Sequence, residues 1–169
     1  HNKEMVFKFN DLKSKGSFLA LRIEGDKISL DEKIKALTNE LKLDKLDSAI
    51  LDIYQSVPFW KKINNLELFK ATKNNLLRVV IPPSKGIKLM QYLSNKYKYY
   101  VDWCGSLYWI EIQSKKNTKV KEIKDLIKEL EGYLTIIKTS DEYDYEETIF
   151  TIDSTRLLIS EKIKKSFDP

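Results

Sequence analysis

Tyr99-Tyr100-Val101 and Leu107-Tyr108-Trp109-Ile110-Glu111-Ile112 are two aromatic and β-branched runs separated by a short segment that contains Gly105. In the second run apolar and polar positions alternate, the two-residue period of a strand with one buried face. Runs this close together pair as an antiparallel hairpin of three or four loop residues, with Gly where the turn needs a positive φ. Any fold open to this chain has to be built around that hairpin. Its turn, Asp102-Trp103-Cys104-Gly105-Ser106, carries a lone acid and the first of two indoles, Trp103 and Trp109. Rigid, amphipathic indoles serve a core, a flat ligand or a partner equally well.

The flanking segments narrow the choice. Leu76-Leu77-Arg78-Val79-Val80-Ile81 reads as a strand stopped by Pro82-Pro83. Ser84 offers a cap for a helix over 85–96 that buries Ile87, Met90 and Leu93. Beyond the hairpin, Val120, Ile123, Ile127 and Leu130 recur at helical spacing up to Gly132, and Tyr133-Leu134-Thr135-Ile136-Ile137 is a strand. Upstream, Lys3 to Phe9 and Phe18 to Gly25 read as strands. A Ser29/Glu32 capping box opens a helix over 30–42, Ala49 to Ile53 is a short strand, and Ser56 caps a helix running to about Asn64 with Pro58 in its first turn. The remainder reads as an exposed acidic loop over 141–147, a strand over 148–152 and a basic helix over 155–166. This order predicts an α+β fold: a ferredoxin-like antiparallel sheet with helices packed mainly on one face. Residues 1–169 read as a single α+β domain.

Composition removes several chemistries. The only histidine is His1, so no internal Ser-His-Asp or Cys-His arrangement and no histidine metal site can be built. One cysteine, Cys104, excludes an internal disulfide, and nothing near it in sequence would activate its thiol. The five glycines are isolated, so neither a dinucleotide-binding fingerprint nor a phosphate-binding P-loop is present. A net charge of +5 accompanies 30 basic residues, but only Arg22, Arg78 and Arg156 are arginines, and the lysines are spread beside acids. That spread speaks for a solvated surface rather than a nucleic-acid face. No run approaches the roughly 20 apolar residues of a membrane span, and no signal peptide is visible.

The succession Leu77 to Ser84, followed about twenty residues later by Val101 to Trp109, resembles the C-terminal half of the FAD-binding subunit of bacterial glycolate oxidase. In that family an arginine-bearing strand running into Pro-Pro-Ser precedes a hairpin that opens Asp-Trp-Gly-Gly. Leu21 to Gly25 is similar to the family's upstream strand, Pro58-Phe59-Trp60 to its aromatic helix, and Ile159 to Pro169 to the lysine-rich segment ending Phe-Asp-Pro in FAD-linked oxidases. The resemblance covers most of residues 18–169. This chain departs from it at Cys104, where the family has Gly, and at Tyr108, where it usually has Arg.

The resemblance implies a cap (substrate) domain of an FAD-dependent 2-hydroxy-acid oxidase or dehydrogenase, with glycolate as the typical substrate. The chain is then a fragment of a longer protein whose N-terminal FAD-binding domain it lacks, and is inactive alone. Implied partners are that domain, the other flavin and iron–sulfur subunits of glycolate oxidase, and a small hydroxy acid. The implied location is cytoplasmic, with attachment to a membrane through partner subunits. Such chemistry needs a cation for the substrate carboxylate, and Arg78, lying in an apolar strand, fits. Asp102 either orients Arg78, acts as a base or ties down its own turn. Trp60, Trp103 and Trp109 either cover the flavin or pack the core. Lys164 and Lys165 either meet FAD phosphates or end a solvated helix. The alternative is a free-standing ferredoxin-like module that binds RNA or a small regulatory ligand on its aromatic hairpin.

Overall fold

The computed structural model describes residues 4–7, 19–42, 49–113, 118–141, 151 and 154–168. Backbone contacts divide the chain into two units, residues 1–68 and 69–169.

In the first unit, β1 (Glu4–Phe7) is the middle strand of a three-stranded antiparallel sheet, between β2 (Leu19–Leu21) and β3 (Ala49–Leu51). Its helices are α1 (Lys27–Glu40) and α2 (Ile53–Asn64). Both begin one turn earlier than the serine caps predict. The Asp26 carboxylate accepts from Ser29 N–H at 3.0 Å, so Ser29 lies inside the first turn and is not its cap. Asp52 accepts from Gln55 N–H at 2.9 Å and Gln55 reaches back, a reciprocal capping box. Ser56 is accordingly a fully buried helical residue, and Pro58 lies inside the helix.

The second unit runs β4 (Asn75–Val80), α3 (Gly86–Leu93), β5 (Lys98–Asp102), β6 (Leu107–Ile112), α4 (Thr118–Glu129), β7 (Tyr133–Lys138) and α5 (Ser154–Phe167). The sheet order β5-β6-β4-β7, antiparallel throughout, is the ferredoxin-like arrangement of two split βαβ units. Strand alternation sends Leu77, Val79, Tyr108, Ile110, Ile112, Leu134 and Ile136 to one face. There they meet Leu89 and Leu93 of α3 and Val120, Ile123 and Ile127 of α4. Each such burial contributes about 1.5–3 kcal/mol. α3 and α4 lie against this face.

Two helix ends depart from the sequence reading. In α3 the buried stripe is Gly86, Leu89 and Leu93, Met90 is only partly buried, and Ile87 is 66% exposed. Ser84 makes no capping bond, because Pro83–Lys85 forms a 3-10 turn that leads directly into the helix. At the end of α4 the left-handed residue is Glu131 (φ 59°), not Gly132. Gly132 N–H bonds Ile127 C=O at 2.8 Å and Glu131 N–H bonds Lys128 C=O at 3.0 Å, a Schellman closure. Glycine is needed at 132 for room: a Cβ would sit 2.4 Å from Ile81 Cγ2 and 2.9 Å from the Val80 carbonyl oxygen.

The acidic segment 142–147 and most of the strand expected over 148–152 lie outside the described residues. Thr151 is described, and it pairs with the β7 edge through its N–H to Leu134 C=O and its Oγ1 from Leu134 N–H, both at 2.8 Å.

Candidate functional site

On the sheet face opposite α3 and α4, the register aligns Tyr100, Trp109, Arg78 and Thr135 in one row across all four strands. Residues in register share a face, so this row collects two aromatic rings and a guanidinium. The next row toward the hairpin turn holds Asp102, Leu107, Val80 and Tyr133. Arg78, Tyr100, Asp102 and Trp109 are partly buried there.

The turn completes the cluster. Its four residues, 103–106, join Asp102 to Leu107, and Trp103, Cys104 and Gly105 take φ values of 50°, 51° and 90°. The left-handed region suits Gly105 but costs about 1–2 kcal/mol for each of the other two. Local bonds hold the strain in place. Asp102 Oδ1 accepts from Trp103 N–H at 2.7 Å, Ser106 N–H donates to Trp103 C=O at 3.1 Å, and Ile81 N–H donates to Ser106 C=O at 2.9 Å. Gly86 lets the turn approach α3, since a Cβ there would lie 2.8 Å from the Tyr108 hydroxyl and 3.0 Å from the Gly105 carbonyl oxygen. The buried Tyr108 hydroxyl donates to Gly86 C=O at 3.0 Å. At Tyr108, where the resembled family has a cation, the side chain therefore braces the turn from the core side.

The strained turn carries Trp103 back over the sheet. Its indole is 56% exposed and lies 5.6 Å from the Arg78 guanidinium carbon, a cation–π contact. Among the described residues Arg78 has no carboxylate partner, so it does not pair with Asp102. Asp102 instead binds its own turn and accepts from the Tyr100 hydroxyl at 2.8 Å. Neither Trp103 nor Trp109 belongs to the buried core.

Arg78, Asp102, Trp103 and Trp109 thus share one corner of the sheet. Lys164 and Lys165 do not: they lie in the exposed last turns of α5, and no bond or ring contact among the described residues joins them to this corner. α5 reaches the sheet near its start, where Arg156 stacks on Tyr133 at 4.8 Å. Trp60 belongs to α2 of the first unit, edge-on to Phe59. Sequence reasoning missed Tyr100, although Tyr-x-Asp on a strand places the phenol and carboxylate on one face.

Glu111 extends the same face beside Trp109. It accepts from Thr72 Oγ1 and Asn74 Nδ2 at 2.6 Å each, and Lys98 Nζ lies 3.6 Å away. Burial pushes its carboxyl up, but these donors outweigh burial and hold it below the usual range. A cleft of about 270 Å³ opens at the far end of the hairpin, lined by Lys96, Tyr97, Lys98, Glu111, Gln113 and Lys119. The Arg78 corner lines no part of it.

Among the described residues no cluster of three side chains could hold a metal, and no helix is long and apolar enough to cross a membrane. Comparison with protein-family models, with curated proteins and with solved structures finds no match.

Proposed function

We propose that this chain is the cap (substrate) domain of an FAD-dependent 2-hydroxy-acid oxidase or dehydrogenase of the glycolate oxidase type, with the Arg78 corner facing the flavin site. The observation that carries the reading is the state of Arg78. The Arg78 guanidinium carbon lies 5.6 Å from the Trp103 ring centroid, and no carboxylate among the described residues takes its edge N–H donors. An edge presented this way suits bidentate capture of a substrate carboxylate. Trp103 and Trp109 supply flat, apolar area to shield the reacting carbon from water. The order of motifs that resembles the glycolate oxidase subunit adds to this geometry.

The residues here fit the ring end of FAD rather than its phosphates. Indoles border the corner, whereas the glycines are isolated and Lys164 and Lys165 stand on an exposed helix. Phosphate binding then belongs to the partner FAD-binding domain, and assembly with the other flavin and iron–sulfur subunits gives the complex its cytoplasmic, membrane-associated place. FAD, when bound, would supply a two-electron acceptor for oxidation of the hydroxy acid at C2. This chain holds the carboxylate at Arg78 and fixes the turn through Asp102.

Assembly with the FAD-binding domain and anaerobic addition of glycolate tests the reading. Loss of the flavin's visible absorbance is expected, and an assembled, flavin-loaded protein unchanged by glycolate contradicts it.

The second reading is a binding module for single-stranded RNA or a small regulatory ligand. Tyr100 and Trp109, side by side on adjacent strands of a ferredoxin-like sheet, favour it, because such modules stack bases on strand aromatics. Salt-dependent RNA affinity lost in Trp109→Ala would select that reading instead.

A further inference from the structure

A hydroxyl has one proton to give and two lone pairs to offer. In Tyr100 the proton is committed to Asp102 Oδ2 at 2.8 Å, while the other carboxylate oxygen takes Trp103 N–H at 2.7 Å. Among the described residues nothing else hydrogen-bonds the phenol, so it is an acceptor toward any ligand on that face. Burial, and then the neighbouring Asp102 carboxylate, push the Tyr100 phenol far above the usual tyrosine range, so the proton stays in place at neutral pH. Two strand spacings, about 10 Å, separate the backbones of Tyr100 and Arg78, with Trp109 between them. A small hydroxy acid lying over Trp109 can span the two side chains.

We propose that Tyr100 is a specificity-determining residue of the Arg78 corner, accepting a hydrogen bond from a ligand hydroxyl and so favouring a 2-hydroxy acid over the matching 2-oxo acid. The proposal rests on reading this corner as a 2-hydroxy-acid site. The Arg78 edge would hold the carboxylate of either acid alike, so discrimination has to come from the group on C2. A hydroxyl there can donate to Tyr100. A keto oxygen can only accept, and it would face the phenol's lone pairs with both groups unsatisfied. Substrate is retained and oxidised product is released. Asp102 sets this polarity as a positioning residue, because the carboxylate that anchors the Trp103 turn also fixes which way the phenol proton points.

The assembled, flavin-loaded protein can be titrated by calorimetry with 2-hydroxy-2-methylpropanoate, which lacks a C2 hydrogen and cannot be oxidised, and with 2-oxopropanoate of similar size. The wild type is expected to bind the hydroxy acid about tenfold more tightly, the scale of one hydrogen bond against an unpaired acceptor. Tyr100→Phe should erase that preference by weakening the hydroxy acid alone. Asp102→Asn, whose amide can donate to the phenol oxygen and turn its proton outward, should narrow or invert the preference. An unchanged preference in Tyr100→Phe, or equal weakening of both acids, overturns the role of Tyr100 and leaves the site reading standing. Binding of neither acid to the wild type, or full affinity for both in Arg78→Ala, overturns the site reading and the proposal together.

Discussion

The two faces of the β5-β6-β4-β7 sheet are built from alternate residues of the same strands and differ in what they carry. On the helix-covered face, Leu77, Val79, Tyr108, Ile110, Ile112, Leu134 and Ile136 are buried against α3 and α4, and the Tyr108 hydroxyl there has a backbone partner. On the other face, Arg78, Tyr100 and Trp109 sit in register, Asp102 and Glu111 lie in the rows on either side, and Trp103 folds back onto Arg78. Packing on the first face fixes the register that creates the rows on the second. One-residue alternation therefore separates the side chains that stabilise this unit from the polar and aromatic ones on its other face. The difference teaches where strain is tolerated: the left-handed non-glycine pair Trp103-Cys104 lies at the Arg78 corner, braced by the core beneath it.

One residue from each face, Ile110 on β6 and Arg78 on the adjacent β4, gives the largest test of that division. Ile110→Ala opens a cavity among fully buried side chains and should cost about 2–5 kcal/mol in urea denaturation, whereas Arg78→Ala should stay within about 0.5 kcal/mol. Comparable losses at both positions would erase the distinction between the faces. Gly86→Ala ranks next. Its methyl meets the Tyr108 hydroxyl at 2.8 Å and the Gly105 carbonyl at 3.0 Å, so about 1–3 kcal/mol is expected, with a shift in Trp103 fluorescence as the turn moves off Arg78. A stability loss that leaves Trp103 fluorescence unchanged would mean the turn is not braced through α3.

The smallest effect is pH-dependent. The Glu111 carboxyl is lower in the folded state than its ordinary value of 4.5, because its donors outweigh burial. Its stabilisation is therefore complete above that value and is lost as pH falls through the folded-state value. Glu111→Gln should be about 1 kcal/mol less stable than wild type near neutral pH, and the gap should close in acid. A gap that is constant with pH would show that charge plays no part.

Much of the second unit was legible in sequence, because the strand and helix periods around residues 76–137 are strong and a two-strand hairpin admits one pairing. Arg78, Asp102, Trp103 and Trp109 could be named because a cation in an apolar strand and indoles at a Gly turn are locally unusual. What stayed hidden depends on competition or distance. Asp26 and Asp52 took the caps from Ser29 and Ser56, since a carboxylate one turn upstream captures the first N–H groups before serine can. The need for Gly132 comes from Ile81, about fifty residues away in sequence, and no turn signal reports it. Trp103 over Arg78 requires two non-glycine residues in a left-handed turn, which local propensity argues against. Tyr100 acquires meaning only when β5 is extended enough to set its phenol beside Asp102.

The proposed role of the face opposite α3 and α4 is to hold a substrate carboxylate at Arg78. Anaerobic mixing of glycolate with the assembled, flavin-loaded protein, wild type against Arg78→Ala, tests it most directly. The account predicts flavin bleaching in the wild type and a rate lower by about a hundredfold in Arg78→Ala, with unfolding midpoints that agree. Bleaching at the wild-type rate in a folded Arg78→Ala protein would contradict it.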